Sequence, residues 1–208
     1  MANDAATLLG FLQSALRDSS NATWTTTEMN NAIARAVRTL APRVVLPLDP
    51  ESYTQALTAG DYFYSLSSAI VDLNRVDWVD SDSNERGELH PSTWEVVGDI
   101  IGGTAKIHVA PSIVDSGGTL RYTGFGRYGV SSNQIPDDLV NLVIAKAEVE
   151  LLHYLKSDRA RFLQWQNTRQ DQNVSVNELL QAINAAEQRV RELSASVYTF
   201  RRPKGGRR

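Results

Sequence analysis

The chain has 208 residues, of which 42% are hydrophobic and 22% charged, which is enough apolar sequence for one or two domains with a buried core. It contains no cysteine, which excludes disulfide bonds and thiolate chemistry. There is no uninterrupted apolar run of about 18 residues, and the first four residues lack the basic and apolar segments of a signal peptide. We therefore expect no membrane span and a cytosolic compartment.

Charge is distributed unevenly along the sequence. The formal net charge is −3, but the last eight residues hold five basic side chains and no acidic one. The remaining 200 residues therefore hold 16 basic and 24 acidic side chains. An acidic body with a short basic tail indicates that the tail contacts something that the body does not.

Two helices are predicted at the start of the chain. Residues Ala5 to Asp18 place their apolar side chains at the spacing of one helix face. The second helix has a capping box, Thr25 with Glu28, and a hydrophobic staple, Trp24 with Met29.

From Val44 to Val130 the pattern changes to short alternating segments, separated by turns that contain glycine or Asp-Ser, among them Asp80 to Gly87. The short spacing favours an antiparallel sheet. The predicted strands are Tyr53–Leu57, Tyr62–Leu66, Val71–Val79, Thr93–Val97, Ala105–Val109 and Leu120–Phe125.

A long apolar helix is predicted to begin at Pro136, and after it the chain continues through Phe162 and Trp165 towards Asp171. Between Leu139 and Leu155, 12 of 17 residues are apolar, and they cover more than one face. Such a helix is either central to a large core or shared with a neighbouring subunit. The second reading gives a candidate subunit interface of Val140, Ile144, Ala147 and Leu151.

The last helix is predicted to begin with a second capping box, Ser175 with Glu178, and a staple of Val174 with Leu179. Apolar residues then repeat to Val197 as a short coiled-coil-like seam. The seam fits packing against the long helix of the same chain or pairing between chains. Beyond it, the composition cannot fold by itself.

These elements give an α+β fold. We predict an antiparallel bundle of four helices from residues 1–43 and 136–197, with a small antiparallel β module, residues 44–135, inserted into it. Residues 198–208 form an extended, flexible basic tail.

The sequence offers no catalytic constellation. Gly124, Gly126 and Gly129 match the spacing G-x-G-x-x-G, but a dinucleotide site needs a helix to begin within the glycine turn, and Ser-Ser-Asn-Gln-Ile-Pro intervenes here. We interpret the glycines as a strand-to-helix connection. The three histidines lack zinc-site spacing. We expect no enzyme activity, no cofactor and no metal.

Several segments, taken in order, carry a resemblance to a known family: Trp24–Met29, Tyr62–Leu66, Ile70–Val76, Trp94–Val97, Lys106–Pro111, Leu120–Tyr122, and Ile135–Asp137 at the start of the long helix. That order is similar to the head-to-tail connector, or neck adaptor, family of tailed bacteriophages. The resemblance covers nearly the whole chain and implies a structural virion protein.

The resemblance implies a ring, typically of twelve copies, that docks under the portal protein and presents its far face to a stopper, tail or nozzle protein. It places the chain in the virion neck, and in the host cytoplasm during assembly. DNA passing through the ring would meet an acidic body that repels phosphate, so no sequence-specific binding is expected.

The resemblance also implies that the tail docks on the portal. Tyr198 and Phe200 would enter an apolar groove, while the basic side chains meet portal carboxylates: Arg201, Arg202, Lys204, Arg207 and Arg208. An idle, solvated tail is the alternative. Two loops, Asp80–Leu89 and Gly124–Gln134, are expected to be exposed, and one of them is expected to contact a neighbouring subunit or the next neck protein.

Two other functions remain open from the residues alone. A nucleic-acid-binding accessory protein would use the basic tail, although five charges on an acidic protein give weak, salt-sensitive binding. A small-molecule enzyme would need a pocket around the glycine loop.

Overall fold

The computed structural model describes residues 2–41, 43–82, 84–100, 102–129, 135–168 and 175–200, without the side chains of 2, 168 and 198–200. The contacts divide the chain into two compact units. We call Met1–Val44 with Tyr128–Arg208 the helical unit, and Val45–Arg127 the β unit. Helices and antiparallel sheets are both present, so the predicted α+β class is confirmed.

The described residues form six α-helices, so the predicted layout of four helices is wrong in number. Five of the six lie in the helical unit, and the short α3 lies in the β unit. The helices are α1 (Ala5–Leu16), α2 (Thr26–Arg38), α3 (Pro111–Val114), α4 (Asp137–Tyr154), α5 (Arg159–Thr168) and α6 (Val176–Phe200).

One of the extra helices arises because the long helix does not continue past Tyr154. The N–H groups of Lys156 and Ser157 donate to carbonyls three residues back, which tightens the last turn. Asp158 then caps a new helix, since its carboxylate accepts from the N–H of Arg161 at 3.1 Å.

Helix α4 is the centre of the helical unit. It packs against α1, α2 and α6, which surround it with apolar side chains. Its buried residues therefore point in several directions, and packing within the chain accounts for its apolar character. The largest fully buried side chains around it are Leu8, Leu12, Leu16, Trp24, Met29, Ile33, Leu40, Ile135 and Trp165.

Both predicted capping boxes are present. The N–H of Thr25 donates to the Glu28 carboxylate at 2.9 Å, and the Thr25 hydroxyl accepts from the N–H of Glu28. Ser175 and Glu178 make the same reciprocal pair at the start of α6. The first staple, Trp24 with Met29, is buried in the core, whereas Val174 of the second staple lies outside the described residues.

The apolar seam of α6 faces the rest of the helical unit. Leu179, Ile183, Ala186 and Val197 are buried in its core, and α6 packs against α4. Of the two interpretations of the seam, packing within the chain is the one observed.

A buried carboxylate that the sequence analysis missed joins α1 to α2. Asp18 accepts three hydrogen bonds, from the N–H groups of Ala22 at 2.7 Å and of Thr23 and Trp24 at 2.9 Å each. Only 2% of this residue is exposed. Asp18 therefore fixes the turn that brings Trp24 to the start of α2.

Ten short strands occur among the described residues, and eight of them lie in the β unit. All six predicted strands are confirmed, with bounds shifted by at most one residue. The strands are β1 (Ala2–Asn3), β2 (Leu46–Pro47), β3 (Thr54–Ala56), β4 (Phe63–Ser65), β5 (Ile70–Val79), β6 (Glu85–Glu88), β7 (Trp94–Val97), β8 (Lys106–Val109), β9 (Thr119–Gly126) and β10 (Ile135–Pro136).

The β unit contains two antiparallel sheets. In the larger one, β9 pairs with β2 and β3 on one side and with β5 on the other, and β5 continues to β6. The smaller sheet has the order β4-β8-β7. Ile107 of β8 and Val76 and Leu120 of the larger sheet are fully buried in one shared core. In the helical unit, β1 pairs with β10.

The predicted turn from Asp80 to Gly87 is wrong in its second half. Residues Glu85–Glu88 form β6 and pair with the end of β5. All four residues of β6 are exposed, so the strand lacks the alternation of apolar and polar residues that would reveal it.

Candidate assembly surfaces

The four residues of the predicted subunit interface lie in the core of the helical unit. Val140 is 9% exposed, and Ile144, Ala147 and Leu151 are more deeply buried. Ile144→Asp would therefore place a charge in the core of the monomer. A loss of assembly in that variant would not distinguish a lost subunit interface from an unfolded monomer. A role for these residues between subunits stays a prediction.

A surface groove runs between α2, α4 and α6, with a cavity volume of about 380 Å³. We call it the Lys146 groove. Apolar side chains from all three helices line it, together with charged residues: Arg35, Ala36, Thr39, Lys146, Val149, Glu150, Glu187, Val190 and Arg191.

Lys146 is the half-buried cation of this groove. Its ammonium donates to the Thr39 hydroxyl at 2.9 Å, beside the carboxyl end of α2, where a positive charge is favoured. Burial lowers the pKa of the Lys146 ammonium, and nearby Arg43 lowers this pKa further. No carboxylate of the described residues pairs with it.

The other charged groups of the groove are paired with each other. Arg35 forms an ion pair with Glu150. Glu187 contacts the His153 ring at 3.0 Å and Arg191 at 3.8 Å. Among the described residues, Lys146 therefore differs from the other charged residues of the groove in having no ion-pair partner.

A second groove lies between α1 and α4, with Phe11 at its edge. Phe11 is 48% exposed, and Ser14, Val140 and Ile144 also line the groove. Two residues of the predicted interface thus reach the wall of a surface groove, although most of each side chain is buried.

In the β unit, the outward face of the smaller sheet carries exposed apolar side chains. Phe63 is 55% exposed and Val97 is 44% exposed. The ring of Phe63 lies 4.7 Å from that of His108 on the next strand, and His108 Nδ1 lies 3.5 Å from a Glu95 carboxylate oxygen. We call these four residues the Phe63 face.

The β unit is strongly acidic. Residues 45–127 contain twelve acidic and five basic side chains. Some of the acids pair with arginine on the outer face of the larger sheet, where Arg121 contacts Glu85 at 2.7 Å and Arg75 contacts Asp77 at 2.6 Å. The remaining excess of negative charge makes this unit complementary to basic partners.

The two predicted recognition loops are partly regular structure. In the first, Asp80 accepts hydrogen bonds from the Asn84 N–H at 2.8 Å and from Arg86 at 2.7 Å, which lowers the pKa of the Asp80 carboxyl. In the second, residues up to Gly126 belong to β9, and residues 130–134 lie outside the described part of the chain. Recognition through either loop is untested.

Two of the three glycines of the G-x-G-x-x-G match are explained by packing. A Cβ at Gly124 would lie 2.1 Å from the carbonyl oxygen of Asp72 on β5. One at Gly126 would lie 2.7 Å from the Leu48 side chain. Both glycines sit in an extended strand, where close approach of a neighbouring element excludes a side chain.

The predicted tail begins inside a helix. The backbone of α6 continues through Phe200, so Tyr198 and Phe200 belong to a helix and the predicted extended conformation is wrong for them. Arg201, Arg202, Lys204, Arg207 and Arg208 lie outside the described residues.

The described residues hold no group of three or more His, Asp or Glu side chains suited to a metal ion. None of the helices in the part of the chain that the structure describes has the length and hydrophobicity of a membrane-spanning segment.

Residues 4–191 match the protein family described as SU10 adaptor protein. No curated protein matches the chain.

Two solved structures contain similar chains. One is described as the neck of a native GTA particle computed with C12 symmetry; it is 18% identical, with 76% of this chain and 84% of that chain covered and a TM-score of 0.32. The other is the neck of an empty GTA particle computed with C6 symmetry, 15% identical, with 73% and 77% covered and a TM-score of 0.30. These scores are too low to establish a common fold. The family match covers nearly the whole chain, so the predicted adaptor resemblance is confirmed, and the chain belongs to the SU10 adaptor protein family.

Proposed function

We propose that the protein is a structural adaptor of a phage neck, which forms a ring under the portal and joins it to a stopper, tail or nozzle protein. The observation that carries this proposal is the adaptor family match over residues 4–191. In this function the chain acts by assembly and not by catalysis.

The distribution of charge supports a ring through which DNA passes. The β unit has an excess of acidic side chains, and a negative surface repels phosphate, so that DNA slides without being held. We propose a ring of twelve copies, assembled in the host cytoplasm and retained in the virion neck.

The basic tail supports portal docking. Residues 201–208 hold five cations and come after Phe200, the last described residue of α6. Arginine pairs with carboxylates through a planar fork, so a portal surface rich in Asp and Glu is the partner that this composition fits. Tyr198 and Phe200 would add apolar contacts at the same place.

The test is reconstitution with the portal of the same phage, followed by native mass spectrometry and electron microscopy. We expect a complex of twelve adaptor copies on one portal ring. Deleting Arg201–Arg208 should leave the urea unfolding midpoint unchanged, because these residues follow the last helix, but should weaken portal attachment about tenfold or more at low salt. That loss should shrink as salt is raised.

A chain that never binds the portal under these conditions would overturn the proposed function. If the truncated chain attaches as well as the full chain at every salt concentration, the tail is idle and only the docking proposal fails. A DNA gel shift that survives physiological salt and depends on the tail would favour the nucleic-acid-binding alternative.

A further inference from the structure

We infer that neighbouring copies in the ring join through two different surfaces, with the Phe63 face of one copy seated in the Lys146 groove of the next. This inference rests on the proposed ring and deepens it by assigning the partner surfaces. It follows from the shape, the apolar lining and the charge of each surface.

The groove has the form of a receptor for an apolar side chain. Ala36, Val149 and Val190 give it an apolar lining from three helices, and its volume of about 380 Å³ lies within the range of ligand pockets. Concave apolar sites of this kind hold the aromatic anchors of protein interfaces.

The groove also requires an anion. Lys146 is half-buried and contacts the neutral oxygens of Thr39, while Glu150 and Glu187 are engaged with Arg35, His153 and Arg191. A partly desolvated charge without an ion-pair partner is costly, and a carboxylate from a partner would offset that cost.

The Phe63 face supplies both requirements. Phe63 and Val97 each expose about half of their surface on the two edge strands of the smaller sheet, and His108 and Lys106 of β8 lie between those strands. Glu95 follows on the outer strand, with 69% of its side chain exposed and a carboxylate oxygen 3.5 Å from His108 Nδ1. Phe63 of β4 and Glu95 of β7 both pair with His108 of β8, which lies between them. Two strand spacings therefore separate Phe63 from Glu95, about 10 Å.

A pairing between unlike surfaces is the kind that builds a ring. Each copy then has one Phe63 face and one Lys146 groove, and contacts repeat head to tail until they close. The acidic character of the β unit agrees with this direction, because its carboxylates approach a groove whose unpaired charge is positive.

The absence of cysteine from the sequence allows a direct test by cross-linking single-cysteine variants. Ser65→Cys lies two residues from Phe63 on the same face of β4, and Ser194→Cys lies one turn beyond Val190 on α6. Equal amounts of the two variants are mixed, with and without the portal, and treated with a short bis-maleimide. We expect a cross-linked dimer on a denaturing gel, since only an intermolecular link can join the two variants.

The matched control replaces Ser194→Cys with Ser14→Cys, which lines the second groove. A charge exchange adds specificity. Glu95→Lys in the first variant, or Lys146→Glu in the second, should each reduce the cross-linked yield about tenfold, and combining the two should restore most of it. Phe63→Ser should reduce the yield as well, whereas Leu163→Ser, at an equally exposed leucine of α5, should not.

The inference is overturned if Ser65→Cys links as well to Ser14→Cys as to Ser194→Cys, or if the combined charge exchange restores nothing although both variants keep the wild-type circular dichroism. It is also overturned if rings form on the portal without this cross-link, and in that case the proposed function stands. A chain that forms neither rings nor cross-links with the portal present overturns both.

Discussion

The helical unit and the β unit use their apolar residues in different ways. In the helical unit, α4 is enclosed by α1, α2 and α6, and the predicted interface residues are buried inside the chain. In the β unit, strands of two to ten residues share a smaller core and leave Phe63 and Val97 exposed. The comparison shows that packing within one chain accounts for the apolar run of α4, whereas the exposed apolar side chains of the smaller sheet are identified only once the strands are folded.

The largest expected effect comes from the centre of the helical unit. Leu142 of α4 is fully buried, so Leu142→Ala should lower the free energy of unfolding by about 3 kcal/mol through lost burial and a cavity. The measurement is urea unfolding followed by circular dichroism at 222 nm. Leu180→Ala, at a leucine of α6 that is 41% exposed, is the control and should cost less than about 0.5 kcal/mol. Equal losses would show that α4 is not the centre of the core.

The next effect concerns the buried carboxylate of the same unit. Asp18→Ala leaves three backbone N–H groups without an acceptor, and we expect a loss of about 2 kcal/mol. Asp18→Asn keeps one acceptor oxygen, so its free energy of unfolding should lie between those of Asp18→Ala and the wild type. Wild-type unfolding midpoints for both variants would contradict the structural role given to this residue.

A pair of glycine variants compares the two units directly. Gly124→Ala in β9 meets the Asp72 carbonyl oxygen, so we expect a destabilisation of about 2 kcal/mol. Gly10→Ala in α1 meets no atom within 4 Å, and it should stabilise the protein by about 0.5 kcal/mol or more because alanine favours a helix. Thermal unfolding of both variants measures the difference, and equal signs would contradict it.

The smallest effect is a dependence on pH. Burial raises the pKa of the Glu28 carboxyl, but hydrogen bonds from Thr25 and Arg161 outweigh it, so the pKa lies below its ordinary value of 4.5. A depressed carboxyl pKa contributes stability that is present above the ordinary pKa and is lost as the pH falls through the folded value. Glu28→Gln should therefore lower the unfolding midpoint slightly at pH 7 and make no difference at pH 2. A larger loss at low pH would contradict this sign.

Features set by neighbouring residues in sequence were predictable. The capping box of Thr25 and Glu28, the periodicity of α1 and α2, and the alternation of the six strands all depend on local chemistry, and all are present. The strand Glu85–Glu88 was not predicted because all four of its residues are exposed, so its sequence does not alternate between apolar and polar residues although it pairs with β5. The break at Asp158 was missed because apolar residues continue on both sides of it.

The candidate surfaces depended more on tertiary contacts. The Lys146 groove combines residues from three helices that are far apart in sequence, so no motif records it. One signal was available, since Lys146 is the only lysine or arginine between Leu139 and Leu155. The Phe63 face combines residues of β4, β7 and β8. The sequence of one strand does not show which of its apolar residues are exposed, so this face was not predicted.

The position of α4 has a consequence for synthesis of the chain on the ribosome. Helices α1 and α2 emerge first, but α4 follows roughly a hundred residues later and α6 later still. The apolar side chains of Leu8, Leu12 and Ile33 therefore stay without α4 while the β unit is synthesised. The β unit is a contiguous segment, so it can fold during that time. The early helices therefore lack their main packing partner until α4 has been made.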